Sequence, residues 1–136
     1  MTEHTNARPS GSEVEDLSRL AAELIAQAGD HPARRAARTI HSGSSLRATV
    51  IALLSGTELA EHDAPPAATL QVLQGEVRLH WQGDERILHT GEITDIPPVR
   101  HALMAHTDAV VLLTVALLAG EATRPKESRA AGQATG

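Results

Sequence analysis

Apolar residues recur at two different spacings along this chain, and the change of spacing separates a helix from a series of strands. From residue 12 to residue 29, apolar residues recur every three or four positions, which predicts an amphipathic α-helix. Ser12 and Glu15 form a capping-box pattern at its start, and Gly29 follows its last apolar residue. We expect this helix to pack with its apolar face on a sheet or on a partner chain.

From Arg38 onward the apolar residues follow the spacing of β-strands, with Gly and Pro residues marking the turns between short segments. Nine such segments at even spacing predict an all-β domain with an antiparallel sandwich or barrel over residues 38–118. Residues 1–11 and 119–136 are polar and without period, so we expect disordered tails. The predicted strands are 38–41, 46–54, 58–64, 67–73, 76–82, 86–88, 93–96, 101–106 and 109–118.

The last predicted strand lies in the stretch "AVVLLTVALLA" at 109–119, which is apolar at both odd and even positions. A strand of this kind is covered on two faces, one by the interior and the other by the helix or a partner subunit. The stretch is too short to cross a membrane, and the first thirty residues lack the pattern of a signal peptide. We therefore expect a cytoplasmic protein with no membrane partner.

Composition narrows the chemistry that the chain can perform. The 136 residues include no Cys, Phe or Tyr, which excludes disulfides, thiolate metal sites and cysteine nucleophiles. Trp81 is the single residue among Phe, Tyr and Trp. It lies near a predicted hairpin tip, and we expect its side chain to be a surface or interface anchor. The net charge of −5 and the lack of aromatic stacking residues favour no nucleic-acid partner.

Two groups of residues resemble the two sequence motifs of the cupin family, whose fold is a jelly-roll β-barrel. Gly56 is followed after five residues by His62, and Gly75 lies where the first motif ends. Gly91, five residues and Pro97 match the start of the second motif, and His101 follows one position earlier than the motif requires. The resemblance covers residues 45–118. It implies an antiparallel jelly-roll barrel, to which the predicted N-terminal amphipathic helix is added, and it implies a homodimer.

The resemblance also implies a metal site, but this chain lacks half of its ligands. In metal-binding cupins two His and one Glu of the first motif join one His of the second motif. Here His62 and His101 remain, while Ala64 and Ala68 stand at the other two positions. Two ligands are fewer than the three that a catalytic zinc needs from a protein.

Strand alternation offers few replacements for the missing ligands. It places Glu58 on the same face as His62, but about 13 Å away at about 3.3 Å per residue. Thr69 and Gln71 belong to the opposite face from Ala68 and would enter the interior only after a shift of register. His106 has the opposite parity to His101.

Three functions remain open from the sequence. The first is a non-enzymatic sensor or accessory protein that binds a small, largely apolar molecule in the barrel. The second is a metal-dependent oxygenase or isomerase with a degenerate site, in which His62 and His101 would hold a divalent transition metal. The third is a structural module. We favour the first, with no catalytic residues, and expect the ligand to be bound by His62, His101, Leu70, Val72 and Leu103.

Overall fold

The computed structural model describes residues 14–62 and 66–117, with the backbone alone of Glu61 and His62. The predicted tails 1–11 and 119–136 lie outside these residues, as do Ser12 and Ala64. One helix is followed by nine strands within the described ranges. They are α1 (Leu17–Asp30), β1 (Arg35–Ser42), β2 (Leu46–Leu53), β3 (Glu58–His62), β4 (Ala67–Gln74), β5 (Glu76–Trp81), β6 (Asp84–His89), β7 (Ile93–Asp95), β8 (His101–Ala105) and β9 (Ala109–Ala116).

The strands form two antiparallel sheets, which confirms the predicted all-β class. One sheet has the order β1-β2-β9-β4-β7 and the other has the order β3-β8-β5-β6. Alternate side chains of both sheets point into the space between them and form the main apolar core. Because the chain has no Phe or Tyr and a single Trp, Trp81, this core consists almost entirely of aliphatic side chains. Their burial is the main favourable contribution to folding. The fully or nearly fully buried members of this core are Leu53, Leu70, Val72, Val77, Leu79, Leu88, Ile96, Leu103, Ala105, Ala109 and Val111.

The predicted amphipathic helix is present and covers the outer face of the five-stranded sheet. It begins at Leu17 rather than after Ser12, because the Asp16 carboxylate accepts a hydrogen bond from the Arg19 backbone N–H at 3.2 Å and caps the first turn. It ends at Asp30, one residue beyond Gly29. Its buried residues pack against outward-facing residues of β2, β4 and β9, so the second apolar face of β9 is covered by the helix. This second cluster contains Leu20, Ala21, Leu24, Ala28, Val50, Ala52 and Val110, with Leu73 and Leu112 packed against it.

One end of the sandwich is closed by hydrogen bonds between its turns. Gly75, with φ of 94°, joins β4 of one sheet to β5 of the other, and its N–H donates to the Thr90 hydroxyl at 2.9 Å. The next residue, Glu76, donates its N–H to the Thr107 hydroxyl at 3.1 Å and accepts from the His106 N–H at 2.9 Å. These bonds fix three turns against one another, and we call this the closed end.

Within residues 14–62 and 66–117, no helix is long and apolar enough to span a membrane.

Candidate functional site

The inner faces of the two sheets change from fully buried to partly exposed along the sandwich. Next to the closed end, Val72, Val77 and Ala105 have no exposed surface. Four residues further from the closed end on β4 and β5, Ala68 and Trp81 are only partly buried, although both still pack against the core. The space between the sheets therefore opens toward this second end. We call it the mouth and define it by the inner-face residues Arg47, Ala68, Trp81, Arg86 and His101.

His101 is the one polar residue among the described residues that is classed as buried, with 3% of its surface exposed. It begins β8, and its ring Nδ1 lies 2.8 Å from the Val99 carbonyl oxygen. Because a carbonyl can only accept, Nδ1 carries the proton, and in the neutral ring Nε2 then bears the lone pair. The backbone thus fixes both the orientation and the tautomer of a buried imidazole at the mouth.

His62 lies opposite His101 in the ladder between β3 and β8, but not by the route that strict alternation predicts. Leu59 pairs with Leu103 and faces the core, and a register shift follows before His62 pairs with His101. This β-bulge adds one residue to β3. Counted from Leu59 by strict alternation, position 62 would belong to the outer face, and the extra residue places it on the inner face instead. The backbone therefore places the two histidine positions opposite each other, and that both bind a ligand stays a prediction.

The same bulge makes the predicted face of Glu58 wrong. Because Leu59 faces the core, its neighbour Glu58 belongs to the outer face, where its carboxylate lies 3.0 Å from Nε2 of His80. Glu58 and His62 do not share a face, since the bulge separates them. The sequence does not reveal the bulge, because Leu59 and Ala60 are both apolar and no glycine or proline lies between residues 58 and 62.

The three predicted wall residues all lie between the sheets. Leu70, Val72 and Leu103 are exposed by 3%, 0% and 4% and belong to the main core. Leu103 is two residues from His101 on β8, and Leu70 is two residues from Ala68 on β4, so both follow directly behind the mouth. Val72 lies deeper, in the fully buried part. That these residues contact a ligand stays a prediction.

Trp81 and Arg86 also belong to the mouth, and the sequence analysis missed both. Trp81 pairs with His101 across β5 and β8 and packs against the core, so its prediction as a surface anchor is wrong. The Arg86 guanidinium carbon lies 5.0 Å from the centre of the Trp81 ring. Strand alternation could have indicated the position of Trp81, because Trp81 shares the face of Val77 and Leu79 on β5.

Arg86 links the edge strands of the two sheets at the mouth. Its Nη1 donates at 2.8 Å to the Thr94 hydroxyl and at 2.8 Å to the Asp95 carbonyl oxygen, both on β7. The Asp95 carboxylate is more distant at 3.4 Å, and its side chain is 79% exposed. Solvent screens such an exposed pair, so it adds little stability.

The other histidine–carboxylate pairs of the described residues lie away from the mouth. His106 faces outward, as its parity predicts, and its Nδ1 lies 2.9 Å from the Glu76 carboxylate, whose other oxygen lies 3.2 Å from His89. The hydrogen bond from His106 lowers the pKa of Glu76. Thr69 and Gln71 also stay outside, because β4 pairs with β9 without interruption from Ala67 to Val72. None of these residues replaces a missing ligand.

The described residues do not make up the metal site that the cupin motifs imply. Among the side chains of residues 14–60 and 66–117, no group of three His, Cys, Asp or Glu lies close enough together to hold an ion. Ala68 faces the mouth at the position where the family has its Glu, and a methyl group cannot coordinate a metal. The buried donor that the structure shows at this place is His101 alone, and it falls short of the three protein ligands of a catalytic zinc.

Comparison with known proteins shows the fold and leaves the activity open. The sequence matches no family model and no curated protein. Among solved structures, a conserved Streptococcus pyogenes protein of unknown function is similar at a TM-score of 0.66 and 23% identity, over 81% of this chain and 91% of that one. An RmlC-like cupin from Desulfovibrio desulfuricans is similar at a TM-score of 0.55 and 23% identity, over 60% of this chain and 81% of that one.

A larger enzyme contains the same fold as part of its chain. Salicylate 1,2-dioxygenase from Pseudaminobacter salicylatoxidans is similar at a TM-score of 0.62 and 19% identity, over 71% of this chain but only 33% of the enzyme. At such identities the likeness concerns the fold. Together the three structures confirm the predicted jelly roll.

Proposed function

We propose that this protein, a small domain with the cupin jelly-roll fold, binds a small and largely apolar organic molecule at the mouth between its sheets. In this proposal it acts as a non-enzymatic sensor or accessory protein. His101 and His62 supply hydrogen bonds to the ligand, and Leu70, Val72 and Leu103 supply the apolar walls.

The observation that carries the proposal is the environment of His101. Burying an imidazole costs free energy unless hydrogen bonds to its ring nitrogens offset the loss of solvation. Here the bond between Nδ1 and the Val99 carbonyl fixes the orientation of a ring exposed by only 3%. A buried imidazole with a fixed orientation, among aliphatic side chains at the open end of a sandwich, is typical of small-molecule sites.

The alternative is a metal-dependent oxygenase or isomerase that uses His62 and His101. The backbone pairing of these two positions favours it. Against it stands the ligand set, because the family's Glu position is Ala68 and no third donor accompanies His101 among the described residues. We therefore prefer organic-ligand binding.

The proposal is tested on protein purified without a metal-affinity tag. Organic extracts of the wild type, His101→Ala and His80→Ala are compared by liquid chromatography and mass spectrometry, and the metal content is measured by elemental analysis. His80 is the matched control, because it lies on the neighbouring strand but belongs to the outer face, where it contacts Glu58.

We expect one organic compound at a stoichiometric level in the wild type and in His80→Ala, and its loss in His101→Ala. Stoichiometric transition metal that disappears in His62→Ala would instead support the enzyme alternative and contradict the proposal. Equal loss of the compound in His80→Ala and His101→Ala would also contradict the assigned role of His101.

A further inference from the structure

We propose that the ligand of the mouth is a small carboxylic acid, whose apolar body lies between the sheets and whose carboxylate is bound by Arg47, with Arg86 on the opposite side of the mouth. This inference rests on the proposed function, because it names the chemical class of the molecule bound there. It rests on two guanidinium groups that the sequence analysis did not connect with the site.

Arg47 belongs to the inner face of β2. The ladder between β2 and β9 runs without a register shift, and it pairs Arg47 with Val115 and Ile51 with Val111. Val111 and Ile51 belong to the core between the sheets, whereas Val50 lies in the cluster under the helix. Since residues two apart on a strand share a face, Arg47 lies on the same side as Ile51, at the mouth.

The charge of Arg47 is not neutralised by the described part of the chain. Its side chain is half-buried, and it forms no hydrogen bond or ion pair with any side chain of residues 14–60 or 66–117. By comparison, Arg38 on the helix side of the same sheet is paired with Glu23 at 3.3 Å. A guanidinium partly removed from water and without an anion loses solvation that a bound carboxylate would restore through two parallel hydrogen bonds.

Arg86 supplies a second positive group that is already held in place. Trp81 supports the plane of its guanidinium, and Nη1 is bonded to Thr94 and Asp95. Its Nε and Nη2 make no hydrogen bond to a described residue. Because Arg86 is fixed before any ligand arrives, little side-chain entropy is lost when those donors bind an anion.

The two arginines lie on opposite sides of the opening. Arg47 is on β2, and the Thr94 that holds Arg86 is on β7, three strands away in the order β2-β9-β4-β7. At about 4.8 Å per strand this is roughly 14 Å between backbones, which two long Arg side chains reduce to the width of a small organic acid. Among the described residues, the acidic groups near the opening are Asp84 at the far end of the His101–Trp81 row and Asp95, both exposed. In this part of the chain the two guanidinium groups of the mouth are thus less exposed than its two carboxylates.

The test uses pairs of ligands that differ in charge and share an apolar body. Benzoate is compared with benzamide, and hexanoate with hexanamide, by isothermal titration calorimetry on the wild-type chain. We expect at least one acid to bind at least about tenfold more tightly than its amide, the ratio that one charge-assisted contact provides. Added salt should weaken binding of the acid and leave the amide unchanged.

Two variants locate the effect. Arg47→Gln should reduce the affinity for the acid to about that of the amide. Arg38→Gln removes the same charge on the helix side of the sheet and should leave the affinity unchanged. Thermal unfolding of both variants verifies that they are folded.

Equal binding of acid and amide, or equal losses in the two variants, would overturn the carboxylate inference while leaving small-molecule binding intact. If no acid of the panel binds, the carboxylate inference is wrong, and the proposed function is decided separately by the co-purified compound.

Discussion

Among the glycines that the structure describes, Gly75 at the closed end has the least room for a side chain. Its φ of 94° is one that residues with a Cβ rarely adopt. A Cβ built there would lie 2.3 Å from the Asp108 carbonyl oxygen and 2.9 Å from the Ala109 Cα. Both neighbours are backbone atoms, so no side-chain rotation can remove the overlap. Gly75→Ala must therefore separate the turn before β5 from the turn before β9.

The expected cost has two parts, and a second glycine isolates one of them. Gly83 has a similar φ of 79°, but nothing lies within 4 Å of a Cβ built there. Gly83→Ala should thus cost only the backbone strain, about 1–2 kcal/mol. Gly75→Ala adds the displacement of the turns, which breaks the hydrogen bonds to Thr90 and Thr107 at about 1 kcal/mol each. The total for Gly75→Ala is about 3–4 kcal/mol.

Urea unfolding measures both variants against the wild type, with Trp81 fluorescence and far-ultraviolet circular dichroism as probes. With a urea slope of about 1–3 kcal/mol per molar for a domain of this size, the midpoint of Gly75→Ala should fall by at least about 1 M. The urea midpoint of Gly83→Ala should fall by less than half as much. If the two variants unfold at the same urea concentration, the reasoning that the closed end is fixed by backbone contact at Gly75 is refuted.

Two further predictions concern other parts of the fold. Leu24→Ala on the fully buried face of the helix should lower the free energy of unfolding by about 2–4 kcal/mol in urea, whereas Val14→Ala at a 65% exposed position should change it by less than about 0.5 kcal/mol; equal effects would contradict the packing of the helix. Because the hydrogen bond from His106 lowers the pKa of Glu76, the ionised carboxylate stabilises the fold above its unfolded pKa, and this contribution is lost as the pH falls through the folded pKa. Glu76→Gln should therefore be less stable than the wild type at pH 7 in thermal unfolding, with a difference that shrinks as the pH falls through the lowered pKa of Glu76, and a constant difference would contradict this role.

Much of the fold could be predicted because apolar spacing reports burial directly. The stretch from Ala109 is apolar on both faces, and the structure covers one face with the core and the other with the helix. Alternation also placed Leu70 and Leu103 inside and His106 outside. In each case the burial of a residue could be predicted from the alternation of a single, regularly paired strand.

The site was less predictable because it depends on an irregularity and on charges. The bulge in β3 shifts the face of Glu58 relative to His62, and nothing in the local sequence marks it. Trp81 and Arg86 share parity with core residues of their strands, but a charged residue next to a turn is usually assigned to solvent. Arg86 is held at the mouth by contacts with β7, a strand of the other sheet, and such contacts cannot be read from spacing.

Native mass spectrometry of the tag-free protein shows whether the mouth at His101 holds an organic molecule or a metal ion, because the mass of the intact complex separates the two occupants. We expect an excess over the chain mass that matches one organic compound, disappears on denaturation and is absent in His101→Ala. An excess equal to one transition-metal ion, or no excess in the wild type, would refute organic-ligand binding at the mouth.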